Sequence, residues 1–150
     1  MRRYTGYSSA TNTVSTTVPM FTIVGAATTR LRVYDFVSGS DATPADAATK
    51  LGFRRLSARG TQATTVAPNA LDPADPASLA VYDTTWNINP TITATSEVLQ
   101  VAHNQRATFR WVAVPDGELV VPATAGAGLA LMSIVASATA NYAWATSWQE

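Results

Sequence analysis

One stretch constrains the fold more than any other: Asn104 to Pro122, N-Q-R-A-T-F-R-W-V-A-V-P-D-G-E-L-V-V-P. Ala107, Phe109, Trp111 and Ala113 alternate with Thr108, Arg110, Val112 and Val114. A strand sends successive side chains to opposite faces, so this pattern predicts a strand with an aromatic inner face. Pro115-Asp116-Gly117 predicts a tight reversal, because proline presets φ and Gly117 tolerates a positive one. Leu119 to Val121 are apolar and β-prone and should return as the partner strand, which Pro122 ends for want of an N–H. The expectation is a hairpin within a β-sheet protein.

The rest of the chain reads the same way. Thr29 to Val37 alternates, with Leu31, Val33 and Val37 on one face and Arg30, Arg32, Tyr34 and Phe36 on the other, before a turn at Ser38 to Asp41. Val18 to Ala27, Leu51 to Ala58, Thr61 to Val66, Ala80 to Trp86 and Ile92 to Val101 are further strands. Leu129 to Ala136 is a continuous apolar run, as for a strand buried on both faces. Tyr142, Trp144, Thr146 and Trp148 alternate with Ala143, Ala145 and Ser147, an aromatic face against a small one, which suits a sheet packed closely on its small-residue side. Helical turns are expected only at Thr43 to Ala48, with Pro44 first, and at Pro76 to Ala80, capped by Asp75. Residues 1–17, rich in Ser, Thr and Asn, read as an arm that is disordered or orders against a neighbour, and 18–150 as one domain. The fold class is therefore all-β, a jelly-roll-like β-sandwich of about eight short strands with an extended N-terminal arm, a barrel being second choice.

Composition bears on what such a fold can do. Charged residues make up 13% of the chain, against about 25% in an average soluble domain. Ten basic residues balance ten acidic ones, and a weakly charged, neutral surface promotes association. Nine of the ten cations are Arg, with Lys50 the exception, and Arg is the cation suited to interfaces. Zero net charge argues against a nucleic-acid partner. Without cysteine there is neither thiolate chemistry nor a disulfide framework. No charge falls between Glu118 and Glu150, but prolines, glycines and an alternating end read as strands and not as a membrane helix. The lone His103 lacks a second ligand or base, Asp116 and Glu118 flank a solvated turn, and A-G-A-G-L-A at Ala125 to Ala130 lacks a phosphate-loop lysine. Pro68 to Ala77 reads as a surface loop; Asn69, Asp72 and Asp75 as a calcium site is the alternative. No enzyme, cofactor or metal site is expected.

Four segments carry a resemblance: R-L-R-V-Y-D-F-V-S-G at Arg30–Gly39, P-N-A-L-D-P-A-D-P-A at Pro68–Ala77, N-Q-R-A-T-F-R-W-V-A at Asn104–Ala113 and P-A-T-A-G-A-G-L-A-L at Pro122–Leu131. Over residues 20 to 150 the chain resembles small tailed-bacteriophage virion proteins of the capsid decoration, or cement, type. The arm is outside that pattern, and Trp148-Gln149-Glu150 departs slightly from its acidic ending. The resemblance implies a jelly-roll-like domain, in homotrimers, on the outer surface of the capsid, bridging subunits of the major capsid protein. Arg30, Arg32, Tyr34, Phe36, Arg54 and Arg55 are the expected subunit contacts, since Arg and aromatic residues dominate hot spots. Arg2, Arg3, Tyr4 and Tyr7 are expected to clamp the arm onto a neighbour, and Trp148, near the end, to be exposed or interfacial. The alternative is a carbohydrate- or receptor-binding module of a phage tail or fibre, which needs exposed tryptophans among Trp86, Trp111, Trp144 and Trp148.

Overall fold

The computed structural model describes residues 1–7, 12–13 (backbone only), 15–40, 43–135 and 141–150. In chain order the strands are β1 (Arg3–Tyr7), β2 (Asn12–Thr13), β3 (Phe21–Val24), β4 (Leu31–Ser40), β5 (Ala48–Ala58), β6 (Thr61–Val66), β7 (Asn69–Ala70), β8 (Val81–Ile88), β9 (Thr91–Asn104), β10 (Phe109–Val112), β11 (Leu119–Val121), β12 (Gly128–Ser133) and β13 (Asn141–Gln149). They form two antiparallel sheets. Sheet A has the order β10-β4-β13-β1-β7, with β11 also on β4 and β2 on β13; sheet B runs β6-β8-β3-β12-β5-β9. The described residues contain no helix, and the turns expected at Thr43 to Ala48 and Pro76 to Ala80 are irregular chain, except that Ala48 already opens β5.

The inner faces of both sheets feed one core. Sheet A supplies Tyr4, Leu31, Val33, Phe36, Tyr142, Trp144 and Trp148, and sheet B supplies Phe21, Ile23, Leu51, Phe53, Tyr82, Leu129 and Leu131. Phe21 is its hub, with ring centroids 4.9 Å from Tyr82, 5.7 Å from Trp144, 5.8 Å from Phe53 and 6.2 Å from Phe36. Offset and edge-on rings like these add about 0.5–1.5 kcal/mol per pair beyond the area they bury. Trp144 Nε1 donates to the Tyr82 hydroxyl at 2.9 Å, so the polar tips of two buried rings satisfy each other. Gly6 makes room on β1 for the Tyr82 ring, which a Cβ there would approach to 2.6 Å. All six residues of β12 are buried, as its unbroken apolar run predicts, but the strand ends at Ser133 and Val135 is exposed; residue 136, at the end of that run, lies outside the described residues.

Sheet B is built around a long ribbon. Residues 48–58 of β5 pair with β9, and the chain continues through β6, which pairs with β8 from Thr61↔Ile88 to Val66↔Tyr82. The ribbon's residues shelter the outer face of sheet B. Val24, Leu56 and Ala130 form a second buried cluster there, with Val81 and Ile92 packed on it. Arg54 Nη1 lies 3.9 Å from Met132 Sδ. Arg59, where the ribbon crosses from β5 to β6, holds the fully buried Asp83 by two bonds of 2.7 and 2.8 Å.

Several expectations need correction. The Phe109 and Leu119 strands do not pair with each other: β10 runs along Asp35 to Ser38 and β11 along Leu31 to Val33, so both lie on the same edge of β4 in the same direction. The Pro115 turn is an excursion from that edge, closed by Gly117 N–H to the Val114 carbonyl at 2.8 Å. Its positive φ of 64° falls on Asp116, not Gly117; Pro115 followed by a positive φ is a type II turn. The alternation expected in β4 also breaks. Ser147 pairs with Asp35 but Trp148 with Val33, leaving Tyr34 as an extra residue. Such a bulge changes which residues face inward, so Leu31 and Val33 are followed into the core by Phe36 and Ser38. The strand also runs to Ser40, through the expected turn.

The arm expected over residues 1–17 divides. Arg3–Tyr7 is an internal strand of sheet A, between β13 and β7. Tyr4 is buried against Trp148, with centroids 6.3 Å apart, and its hydroxyl donates to the Pro76 carbonyl at 3.0 Å. Residues 8–11 and 14 lie outside the described residues.

Candidate contact surface

The outer face of sheet A is organised in transverse rows by its pairing. Arg3, Gln149, Arg32 and Val120 make one row, Thr5, Ser147, Asp35 and Val112 the next, and Tyr7, Ala145, Val37 and Arg110 a third. Ala143 beside Gly39 continues the pattern. Because β13 sends Tyr142, Trp144, Thr146 and Trp148 into the core, its small residues Ala143, Ala145 and Ser147 face outward and are half-buried. The result is a shallow strip of Val37, Gly39, Ala143 and Ala145, with Tyr7 44% and Val112 56% exposed at its margins.

Charge stands around this strip. Arg110 forks onto Asp35 with bonds of 3.0 and 2.7 Å, and Arg32 Nη1 lies 3.7 Å from Glu118. The carboxylate beside Arg110 raises the guanidinium pKa. Arg3 is exposed, and Tyr34 is half-buried with its phenol pushed up by burial, against the pull of Arg3 and of a hydrogen bond with Ser147. Three of the residues expected in contacts, Arg3, Arg32 and Tyr34, thus share this face, with Tyr7 at its margin.

The others are scattered. Arg2 is exposed and pairs through its backbone with Glu150 at 3.0 and 3.2 Å. Arg54 is bound to Glu97 at 2.7 Å on sheet B. Arg55 Nη1 donates to the Val120 carbonyl, and exposed Arg30 lines the same open depression with Val120 and Pro122. Tyr4, Phe36 and Trp148 belong to the chain's own core, which corrects their expected place at an interface. Trp148 lies deep because the last residue is latched: the Glu150 carboxylate accepts from Ser78 Oγ at 2.5 Å, from the Leu79 and Ala80 N–H groups at 3.1 Å each, and from Trp148 Nε1 at 3.3 Å. Of the tryptophans weighed for sugar stacking, Trp144 is also in the core, while Trp86 and Trp111 are half-buried.

His103 stacks on Phe109 at 5.8 Å and meets the edge of Tyr142 at 5.7 Å; both ring nitrogens are buried without a partner, and burial lowers its pKa. Asp72 Oδ1 accepts from the Ala74 N–H at 2.9 Å and its carbonyl from the Asp75 N–H at 3.0 Å, so this aspartate shapes a turn. Among the described residues no three His, Cys, Asp or Glu side chains come together as a metal site, and no helix is long and apolar enough to cross a membrane. The alternation in β13 marks the small face, and what residue types alone do not show is that Val37 and Gly39 of β4 continue it. No family model matches the chain, and comparison with curated proteins and with solved structures found no match either.

Proposed function

We propose that this chain is a capsid decoration protein of a tailed bacteriophage, a jelly-roll-like domain that sits on the outer surface of the virion head in homotrimers and bridges major capsid protein subunits. The observation that carries the reading is the outer face of sheet A: an open, nearly uncharged strip of Val37, Gly39, Ala143 and Ala145 beside Arg3, Arg32 and Arg110. Small side chains let another surface approach the sheet closely, and arginines at the rim supply directional hydrogen bonds. The low charge of the whole chain supports the same reading. A sugar-binding module draws less support, since Trp144 and Trp148 are enclosed in the core. The test is location and effect. Reconstructed virions should show the chain on the outside of the head, and heads lacking it should rupture at lower temperature. Density only on a tail or fibre, or intact stability without it, sinks the proposal.

A further inference from the structure

A sheet edge exposes a row of unpaired backbone groups, and this chain treats its edges unequally. β7 is two residues long between Pro68 and Pro73. The edge formed by β10 and β11 is interrupted at Pro115 and carries Arg110. β6 meets β8 through three register shifts. Shortness, proline, charge and bulges all make an edge a poor template for another strand. The first half of β9 is blunted too, by shifts against β5 and a positive φ of 50° at Thr95. Its second half is not. Leu99–Asn104 pairs in unbroken register with Ala48–Phe53 and contains no charged residue.

The register shows which groups are free. Gln105 N–H donates to the Ala47 carbonyl at 3.0 Å, so alternate residues back along β9, His103, Val101 and Leu99, direct their N–H and C=O groups at β5. The Lys50 carbonyl, which accepts from Ile134 on the far side of β5, obeys the same alternation. Gln100 and Ala102 therefore present both backbone groups to the open side, where the described residues offer them no partner. Their side chains are exposed, while Leu99 and Val101 pack against the core. The Asn104 carbonyl is already taken by the Ala107 N–H at 2.9 Å.

We propose that this edge pairs with the same edge of a second copy of the chain, antiparallel about a two-fold axis at Val101. In that register Gln100 stands opposite Ala102 of the other copy, and the free groups of both residues satisfy one another. Leu99 then faces His103, Val98 faces Asn104, and Glu97 faces Gln105, so no like charges meet. Registers centred on Gln100 or Ala102 lose this closure, because they call on bulged Val98 or on the occupied Asn104 carbonyl. Zero net charge removes long-range repulsion between copies. The contact lies on sheet B and is independent of any association through sheet A.

The test uses the chain's lack of cysteine. In Val101→Cys the introduced thiols sit on the axis as a non-hydrogen-bonded pair, about 4.5 Å apart at Cα, and should form a disulfide-linked dimer under mild oxidation. Val112→Cys, exposed on sheet A, reports association elsewhere. Gln100→Lys with Ala102→Lys sets lysines opposite lysines at exposed positions and should raise the dimer dissociation constant by at least about tenfold. Amide exchange at Gln100 and Ala102 should slow as wild-type concentration rises. Folded Val101→Cys that stays uncross-linked, cross-linking through Val112→Cys alone, or exchange at those amides that ignores concentration would each overturn the proposal.

Discussion

The outer faces of the two sheets have met opposite fates. On sheet B, Thr22, Val24, Ala130, Met132 and Asp83 all point away from the main core, yet each is buried to within 2% of full enclosure. The ribbon of β5–β6 and β8–β9 returns part of the chain across them, through Ile92, Arg54 and Arg59. On sheet A Thr108 fills the space beside Gly39, but the strip of Val37, Gly39, Ala143 and Ala145 remains half-exposed. A face closed by its own chain can bury even a carboxylate, provided a guanidinium comes with it. A face left open keeps ions only at its rim and small residues in the middle.

The sharpest way to break this comparison is to remove the closure. Arg59→Ala strands the Asp83 carboxylate, whose side chain is 0% exposed, with Thr65 Oγ1 at 2.6 Å as its remaining side-chain donor. Losing one partner of a buried pair costs about 3 kcal/mol or more. Chemical unfolding should show a loss of that size, and a double variant with Asp83→Asn should recover much of it. A loss under about 0.5 kcal/mol, the level of an ordinary surface substitution, would mean that the ribbon does not enclose Asp83 as described.

The difference between the faces was half legible in the residues. The period of β13 announced one aromatic and one small face, and both exist. The pattern suggests close packing on the small side, yet it is the aromatic face that enters the core and the small face that stays half-exposed, and nearness to the terminus suggests exposure for Trp148, which the structure buries. The latch of Glu150 onto Ser78, Leu79 and Ala80 joins residues some seventy positions apart, as pairing of the terminal strands dictates. In β4 a single extra residue, Tyr34, turned Phe36 inward, and bulges leave no mark on an alternating pattern. The Phe109 to Val121 segment had the right strands and the wrong partner. Turn chemistry predicts a reversal but not whether the chain then pairs with itself or rejoins a third strand.

A milder probe acts on the seam between the sheets. Burial holds the His103 pKa below its ordinary 6.5, so the unfolded chain takes up a proton before the folded one does. Stability from this residue is complete above about pH 6.5 and is lost as pH falls from there towards the depressed folded value. His103→Phe should flatten that part of the stability–pH curve, leaving only the carboxylate-driven loss at lower pH. An unchanged slope between pH 7 and pH 5.5, a window set by ordinary histidine titration, would place the ring in water. Smaller still is Arg110→Ala. Its fork with Asp35 is short, but the Arg110 side chain is 63% exposed, and exposed pairs add little to stability. That loss should shrink further at high salt, unlike the loss at Arg59.

The smallest effect on stability is expected at the centre of the open strip, in Ala145→Glu. Ala145 lies between Tyr7 and Val37 with its Cβ directed away from the core, so a longer side chain can extend into water. The change in unfolding free energy should stay within about 0.5 kcal/mol. Its effect on assembly should be the opposite of small. A partner closing over the strip would have to strip water from a carboxylate while Arg110, in the same row, is already paired with Asp35, and an unpaired buried charge is not tolerated. If the proposed function holds, capsid binding and trimer formation, followed by co-sedimentation and light scattering, should both be lost while the thermal midpoint stays put. Wild-type binding in this variant would mean that the open face of sheet A is merely solvated, and the contrast between the two faces would then carry no functional meaning.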